Sequence, residues 1–278
     1  MRRQLSWRDR KAAARLLPVW KRELIKARQL KHALSDGQVL AMRPWLVTRS
    51  SSPVSLDLVP TSWYPDVLIA VGGAPIYLLD VNCDCSPDCC AWVFERQAGS
   101  GSVTTKSALS ELLRAGVTGL DDESVAAVAE IVPDGAYQVV LLDLKVRSVS
   151  PGDPEDYFVT ERIWEVSGLS GSGSEFVPFD PGTGYYRTLS NGHSPLHLML
   201  PLNSEDALDP ATVDDYARCL REGTRPTVVS ATMLTACEDP VAHVVLDGHH
   251  KLQAAAVTGV PIRVIAFVMP YRPTLPTV

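Results

Sequence analysis

The segment from His243 to Phe267 constrains the fold of this chain more than any other. It consists of an apolar run, an Asp-Gly turn, a short stretch of small and apolar residues that ends at Gly259, and a second apolar run. Two such runs, separated by a turn and a helix-length stretch, are typical of buried strands joined by a helix. The sequence therefore predicts a strand–turn–helix–strand unit, with Gly248 at the turn and Gly259 as the helix stop.

Three side chains that can carry positive charge follow this turn directly. His249, His250 and Lys251 stand where the turn enters the helix. The first N–H groups of a helix have no partner within it, and the helix dipole makes this end positive, so anions bind there. We therefore predict a phosphate-binding corner made by the backbone at Gly248 and by these three side chains. A short motif of this kind also occurs where histidines simply cap a helix.

A second helix is predicted upstream, from Asp209 to about Gly223. Asp209 is a good N-cap residue, Pro210 fits the first helical position, and Gly223 followed by Pro226 ends the helix. Its apolar face consists of Val213, Tyr216, Ala217 and Leu220. The strands expected around the two helices are Thr227–Met233, Ala242–Leu246 and Ile262–Met269. Together these elements form a coherent α/β unit.

These residues resemble the ParB/sulfiredoxin superfamily. Its members carry an Asp-Gly-His-His-Arg signature at a strand-to-helix junction, where this chain has Asp-Gly-His-His-Lys at Asp247–Lys251. The helix from Asp209 is similar to the first helix of the family. The resemblance covers about residues 194–270. His249 stands where sulfiredoxins have cysteine, which argues against sulfinic-acid chemistry, and Lys251 replaces arginine, which keeps the charge without the bidentate fork.

The resemblance implies a nucleotide-dependent function. We expect ATP or ADP, or else CTP, to bind with Mg²⁺, and phosphate to pass to a small hydroxylated molecule such as a free amino acid, as in free serine kinases. Asp247, at the tip of its strand, is the expected Mg²⁺ ligand. The catalytic candidates are Asp247, His249 and Glu205, with Asp206 beside the last of them. The candidates for cofactor binding are Gly248, His249, His250, Lys251 and Arg225.

Other functions remain open under the same resemblance. One is a nucleotide-binding regulator without turnover, and another is a ParB-like nucleic-acid-binding protein or nuclease. A stretch rich in Gly, Tyr and His, residues 180–197, provides further candidates for the same cleft. They are Arg187, His193 and His197 for phosphate or substrate, and Tyr185 and Tyr186 for stacking on a base. Turns rich in Gly and Asn also have this composition without any ligand.

The net charge of −6 conceals a basic N-terminal segment. Residues 1–34 contain eleven Lys or Arg against Asp9 and Glu23, a local charge of +9, so the remaining residues carry −15. We predict one or two basic helices here. Such an arm contacts nucleic acid or an acidic partner, or it packs on the acidic body of its own chain. We favour the second interpretation.

For residues 35–169, the sequence predicts an α+β region that has no resemblance to a family known to us. A hairpin is expected around Gly72-Gly73, because a Gly-Gly pair between two apolar runs is a typical turn signal. The other expected elements are helices at 107–116 and 121–132, and strands at Tyr137–Val146 and Tyr157–Val166. A Gly/Ser-rich stretch at 168–174 marks a boundary, after which residues 170–278 would form the ParB/sulfiredoxin-like domain. The predicted fold class is therefore α/β (α+β).

The cysteines and the hydropathy pattern indicate the cellular compartment of the protein. Cys83, Cys85, Cys89 and Cys90 lie within eight residues. Thiolate-rich loops bind zinc, but structural zinc sites use two separated cysteine pairs, so the spacing favours buried thiols over a zinc site. No apolar run reaches the length of about 18 residues that a membrane helix needs, and no secretion signal is evident. We expect a cytoplasmic protein with reduced thiols and no membrane contact.

Overall fold

The computed structural model describes residues 38–48, 52–59, 66–80, 93–96, 103, 105–150, 153, 184–188, 198–203, 207–233 and 243–269. The strands in this part of the chain are β1 (Gln38–Val47), β2 (Val54–Val59), β3 (Asp66–Val71), β4 (Ala74–Asp80), β5 (Val93–Arg96), β6 (Gly135–Leu144), β7 (Val146–Val149), β8 (Tyr185–Thr188), β9 (Leu198–Pro201), β10 (Thr227–Met233), β11 (His243–Asp247) and β12 (Ile262–Met269). The helices are α1 (Ser107–Ala115), α2 (Asp122–Val128), α3 (Pro210–Arg221) and α4 (His249–Thr258). A 3₁₀ turn, Ala129–Ile131, follows α2.

Eight of the strands form one mixed sheet in the order β1-β6-β12-β10-β11-β9-β8-β7. β10 and β12 run parallel, as do β9 and β11, whereas the other neighbours are antiparallel. Only Lys145 separates β6 from β7, although these strands take the second and the last position in the sheet. The sheet is therefore curved, so that the edge strand β7 lies next to the end of β6.

Alternating side chains of the central strands build a core on each face of this sheet. On β12, Ile265 and Phe267 belong to a cluster with Leu109 and Leu113 of α1, and with the buried residues of α2. The neighbouring positions, Val264 and Ala266, pack instead with residues of α3 and α4. A strand that is covered on both faces is apolar at nearly every position, as β12 is. Helices α1 and α2 thus cover one face, and α3 and α4 cover the other.

The small sheet packs on the side of α1 and α2. Its strands are antiparallel in the order β2-β3-β4-β5, and the predicted hairpin at Gly72-Gly73 joins β3 to β4. Ile69, Ile76 and Tyr77 belong to the same core cluster as α1. The buried hydroxyl of Tyr77 donates to the carbonyl oxygen of Pro201 at 2.6 Å, which ties this sheet to the end of β9.

The segment that follows α1 is fastened to the main sheet by polar contacts. Arg263 forms two hydrogen bonds with the carboxylate of Asp143, at 3.0 and 3.2 Å, and donates to the carbonyl oxygen of Val117 at 3.1 Å. The N–H of Val117 donates in turn to the hydroxyl of Thr227 at 2.8 Å. These contacts hold the end of α1 against the start of β10.

Most predicted elements within the described residues are confirmed. α1, α3, α4, β10 and β12 have the expected positions, and the expected helix at 121–132 is confirmed except that its last turn is 3₁₀. The predicted strand Tyr137–Val146 is divided instead, because β6 ends at Leu144 and β7 begins at Val146. None of the described helices has the length and apolar character needed to span a membrane.

The predicted domain division does not correspond to a division of the sheet. Strands β1, β6 and β7 precede the expected boundary at 169/170, and they pair in one sheet with strands that follow it. The basic arm at 1–34, the cysteine cluster, the expected strand Tyr157–Val166 and the stretch 168–174 all lie outside the described residues.

Candidate functional site

The predicted phosphate corner lies at one end of the main sheet. The parallel strands β9 and β11 end there, at Pro201 and Asp247, and β10 begins there at Thr227. Crevices beyond the carboxyl ends of parallel strands are the usual ligand sites of α/β sheets. A cavity of about 200 Å³ opens at this end. Its walls are formed by Val103, Ser110, Asn203, Thr212, Tyr216 and Leu246–Lys251.

Gly248 allows α4 to begin close to β10. Its φ of 103° and ψ of 27° are left-handed, a conformation that glycine adopts without the steric cost of a side chain. A Cβ at this position would lie 3.0 Å from Cγ2 and 3.1 Å from Cα of Val228. Both the backbone conformation and the close approach therefore require glycine at the turn.

The first turn of α4 has no side-chain cap from any described residue. Helix α1 likewise has no side-chain cap from a described residue, whereas Asp209 caps α3 and Asp121 caps α2. The hydrogen-bond ladder of α4 begins with the N–H of Leu252, which donates to the carbonyl oxygen of Gly248 at 2.9 Å. The N–H groups of His249–Lys251 precede this ladder, so they are the groups that an anion in the cavity would meet.

Lys251 forms a buried ion pair with Asp247. Its ammonium lies 2.8 Å from Oδ2 of Asp247 and donates to the carbonyl oxygen of Thr227 at 2.9 Å. The two side chains are only 5% and 20% exposed. Burial lowers the pKa of Lys251, and the carboxylate of Asp247 opposes that change. Lys251 therefore neutralises Asp247, and it does not offer the unpaired charge that the sequence predicts.

The two histidines bind backbone groups of the protein itself. The N–H of Leu202 donates to Nε2 of His249 at 3.1 Å, and the N–H of Asp209 donates to Nε2 of His250 at 3.0 Å. Burial lowers the pKa of His249 to about 4, so this imidazole is neutral near pH 7. His249 thus does not supply the positive charge that we predict from the sequence. In this geometry His249 connects α4 to the segment that follows β9, through its hydrogen bond with Leu202.

We expect acid to destabilise the protein through His249. The pKa of His249 is about 4 in the folded chain, against an ordinary value of 6.5, so the unfolded chain binds more protons between these two values. The contribution of neutral His249 to the free energy of unfolding is complete above pH 6.5. It is lost as the pH falls towards 4, and the total loss is about 3 kcal/mol. In His249→Gln the amide oxygen can still accept from Leu202, so this part of the pH dependence should disappear.

Urea unfolding between pH 7 and pH 4 measures this effect. The matched control is His250→Gln, which removes the half-buried histidine of the same helical turn and should leave the pH dependence from His249 in place. If His249→Gln and the wild type lost stability equally over this range, His249 would not be the buried neutral group described here.

Tyr216 connects the cavity to α1. The ammonium of Lys251 lies 5.8 Å from the centroid of the Tyr216 ring, and Cζ of Arg114 lies 5.4 Å from it. Arg114 also forms a salt bridge with Asp215 on α3. Burial raises the pKa of Tyr216, so its phenol is protonated near pH 7. Sequence reasoning missed the contribution of α1, because an amphipathic helix about a hundred residues away carries no signal of this contact.

The remaining candidates that the structure describes do not line the cavity. Arg225 donates to the carbonyl oxygens of Leu220 and Thr224, at 3.4 and 3.2 Å, and so binds the end of α3. Tyr185 and Tyr186 are buried on β8 beside a void of about 10 Å³, which has no room for a base. Arg187 is buried on the same strand. The candidates Glu205, Asp206, His193 and His197 lie outside the described residues.

A search for metal-binding groups gives no cluster in the described part of the chain. No three residues among His, Cys, Asp and Glu are arranged there to hold an ion. Among the described residues that line the cavity, Asp247 is the one with a carboxylate, and Mg²⁺ commonly takes one or two carboxylates and completes its shell with water and phosphate oxygens. Lys251 contacts Oδ2 of Asp247, so Oδ1 is the oxygen that an ion in the cavity would meet.

Comparisons of the chain with protein-family models, with curated proteins and with solved structures found no match. Support for a function therefore comes from the geometry of the cavity.

Proposed function

We propose that the C-terminal third is a ParB/sulfiredoxin-like unit that binds the phosphate groups of a nucleotide at the start of α4. The observation that carries this proposal is the uncapped first turn of α4, which follows the left-handed Gly248 and borders the cavity of about 200 Å³. Backbone N–H groups at such a position meet an anion without rearrangement, and the helix dipole favours its charge. A cytoplasmic location is in keeping with this function.

The size and polarity of the cavity are those of a site for phosphate groups. Pockets for drug-sized ligands measure about 300 to 1,000 Å³, so a cavity of about 200 Å³ holds phosphates while the ribose and base extend outside it. Ser110 and Asn203 line the cavity and supply neutral hydrogen-bond donors, whereas the hydroxyl of Thr212, also on its wall, donates to the carboxylate of Asp209. Since Lys251 neutralises Asp247, the anion is bound by N–H and hydroxyl groups together with Mg²⁺.

The reaction that we propose is phosphate transfer to a small hydroxylated molecule such as a free amino acid. Asp247 would bind Mg²⁺, which would neutralise negative charge on the phosphate groups. The acceptor oxygen forms a bond to the terminal phosphorus while the bridging P–O bond breaks, and Glu205 takes the proton of the acceptor hydroxyl. Asn203, two residues before Glu205, lies at the cavity. Such transfer depends mainly on positioning and charge neutralisation.

A specific observation also favours a second candidate, a nucleotide-binding regulator without turnover. His249, His250 and Lys251 each form hydrogen bonds with groups of the protein itself, so none of them serves as an acid or base in this geometry. In that case the site binds nucleotide and the chain transmits the bound state to a partner.

Calorimetric titration of ATP, ADP and CTP with Mg²⁺ tests the binding site. We expect the wild type to bind at least one of them, and Ser110→Trp, which fills the cavity, to weaken binding at least about tenfold, or 1.4 kcal/mol. Ser107→Trp is the matched control, because Ser107 is an exposed serine of the same helix that does not line the cavity. Equal affinities of the two variants would place the site elsewhere.

Phosphorus NMR of the bound nucleotide, recorded with free amino acids present, then separates the two candidates. A new phosphomonoester signal would establish the kinase and identify its acceptor. Binding without such a signal would favour the regulator. If no nucleotide binds, the proposal is wrong and the Asp247–Lys251 segment is only the start of a helix.

A further inference from the structure

The cations that the sequence places at the corner are all engaged within the protein. Lys251 binds Asp247 and Thr227, and the Nε2 atoms of His249 and His250 accept backbone hydrogen bonds. The helix N-terminus itself contributes only about half of an elementary charge. A ligand with two or three phosphates carries more negative charge than this. Besides the proposed Mg²⁺, the site as predicted from the sequence therefore offers no unpaired side-chain cation to the second phosphate.

An exposed cation of α1, Arg114, lies beside Tyr216, a residue that lines the cavity. Ser110 lines the cavity, and Arg114 follows it by four residues, so the two side chains share a face of the helix. Leu109 and Leu113 are buried and hold the adjacent face of α1 in the core. The direction of Arg114 is therefore set by the packing of α1 on the sheet.

The surroundings of Arg114 allow it to change partners. Its guanidinium lies 5.4 Å from the centroid of Tyr216, whose ring lines the cavity, and its side chain is 53% exposed. Its ion-pair partner, Asp215, also binds Arg218. Asp215 therefore remains paired with Arg218 if Arg114 moves to another partner. Because this ion pair is exposed, little free energy opposes the change.

We propose that Arg114 is the second phosphate-binding residue of the site and makes it selective for a di- or triphosphate over a monophosphate. The proposal depends on the function proposed above, in which the start of α4 binds the first phosphate. Arg114 leaves Asp215, remains over the Tyr216 ring, and binds the next phosphate. The guanidinium fork matches two phosphate oxygens, a geometry that lysine does not provide.

Titration of AMP and ADP, each with Mg²⁺, into Arg114→Gln tests this assignment. We expect ADP binding to weaken about tenfold, the effect of losing a charge-assisted hydrogen bond, while AMP binding stays unchanged. Arg221→Gln is the matched control, because Arg221 is an exposed arginine of α3 that does not line the cavity. It should bind both nucleotides as the wild type does. Thermal unfolding of each variant confirms that the fold is intact.

A second variant, Asp215→Asn, should act in the opposite direction. It removes the carboxylate that competes for Arg114, so ADP binding should tighten several-fold, and this gain should vanish when Arg114→Gln is also present. Equal losses of AMP and ADP binding in Arg114→Gln would overturn the assignment, and so would unchanged ADP binding. Either result leaves the proposed function standing. A wild type that binds neither nucleotide would overturn both.

Discussion

Replacing Gly116 by alanine should lower the free energy of unfolding by about 3 to 5 kcal/mol. Gly116 ends α1 with a φ of 96° and a ψ of 128°, a conformation that residues with a Cβ avoid. The added Cβ would also fall far inside contact distance of the carbonyl oxygen of Arg225. That oxygen belongs to the backbone just before β10, so α1 has to move away from the sheet. The shift would also displace Ser110 from the cavity.

Gly223→Ala is the matched control for this prediction. Gly223 has a similar φ of 92°, but a Cβ there meets no described atom within 4 Å. Its replacement carries the conformational cost alone, so it should destabilise the chain by about 2 kcal/mol less than Gly116→Ala. Urea unfolding of the two variants measures the difference. Equal losses would contradict the close approach of α1 to the start of β10.

Asp247→Asn should be similarly costly, with a loss of about 3 to 5 kcal/mol, because it leaves the buried ammonium of Lys251 without its counter-ion. The partners left to the ammonium would be neutral, namely the carbonyl oxygen of Thr227 at 2.9 Å and the new amide oxygen. Burial lowers the pKa of Lys251 below its ordinary 10.5, so the unfolded chain binds more protons just below that pH. The loss of stability in Asp247→Asn should therefore become smaller as the pH rises towards 10.5. The variant should also lose its Mg²⁺ dependence of nucleotide binding.

The double variant Asp247→Asn with Lys251→Met tests whether the pair acts as a unit. Removing both charges avoids the uncompensated buried ammonium, so the double variant should recover more than half of the loss. Lys251→Met alone should lose less than Asp247→Asn, since the carboxylate is the more exposed partner, at 20% against 5%. Additive losses of the two single changes in urea unfolding would show that the two groups do not interact.

The elements around the candidate site could be predicted because their signals are local. Asp209 and Pro210 mark the start of α3, and Gly248 and Gly259 bound α4, each through the backbone geometry of one or two residues. The runs of apolar residues then indicated β10 and β12 as buried strands. Such signals depend on neighbours along the chain, so they do not require knowledge of the tertiary structure.

The arrangement of the sheet could not be predicted in the same way. β1 pairs with β6, for instance with Trp45 opposite Tyr137, and β6 pairs with β12 across more than a hundred residues. All three strands are rich in apolar residues, so composition does not determine which of them become neighbours. The Gly/Ser-rich stretch at 168–174 suggested a domain boundary, yet the pairing of β6 with β12 joins the regions on both sides of it.

The candidate site was predictable in position but not in charge. The glycine turn and the start of α4 follow from the sequence, whereas the protonation of His249 and the pairing of Lys251 depend on burial. The fold buries His249 and Lys251 to 7% and 4% exposure. Nothing in a run of His-His-Lys indicates that two of its three side chains face inward. The proposed contribution of Arg114 depends on its contacts with Asp215 and Tyr216 of α3, which are distant in sequence.

The most direct test of the phosphate corner is an amide NMR titration of the ¹⁵N-labelled protein with Mg²⁺ and ADP. The start of α4 has no side-chain cap among the described residues, whereas Asp121 caps α2, where the N–H of Ser124 donates to its carboxylate at 2.8 Å. We predict saturable shifts at the amides of His249, His250 and Lys251, with the amide of Ser124 unchanged. Saturable binding that leaves these three amides unshifted would contradict a phosphate site at the start of α4.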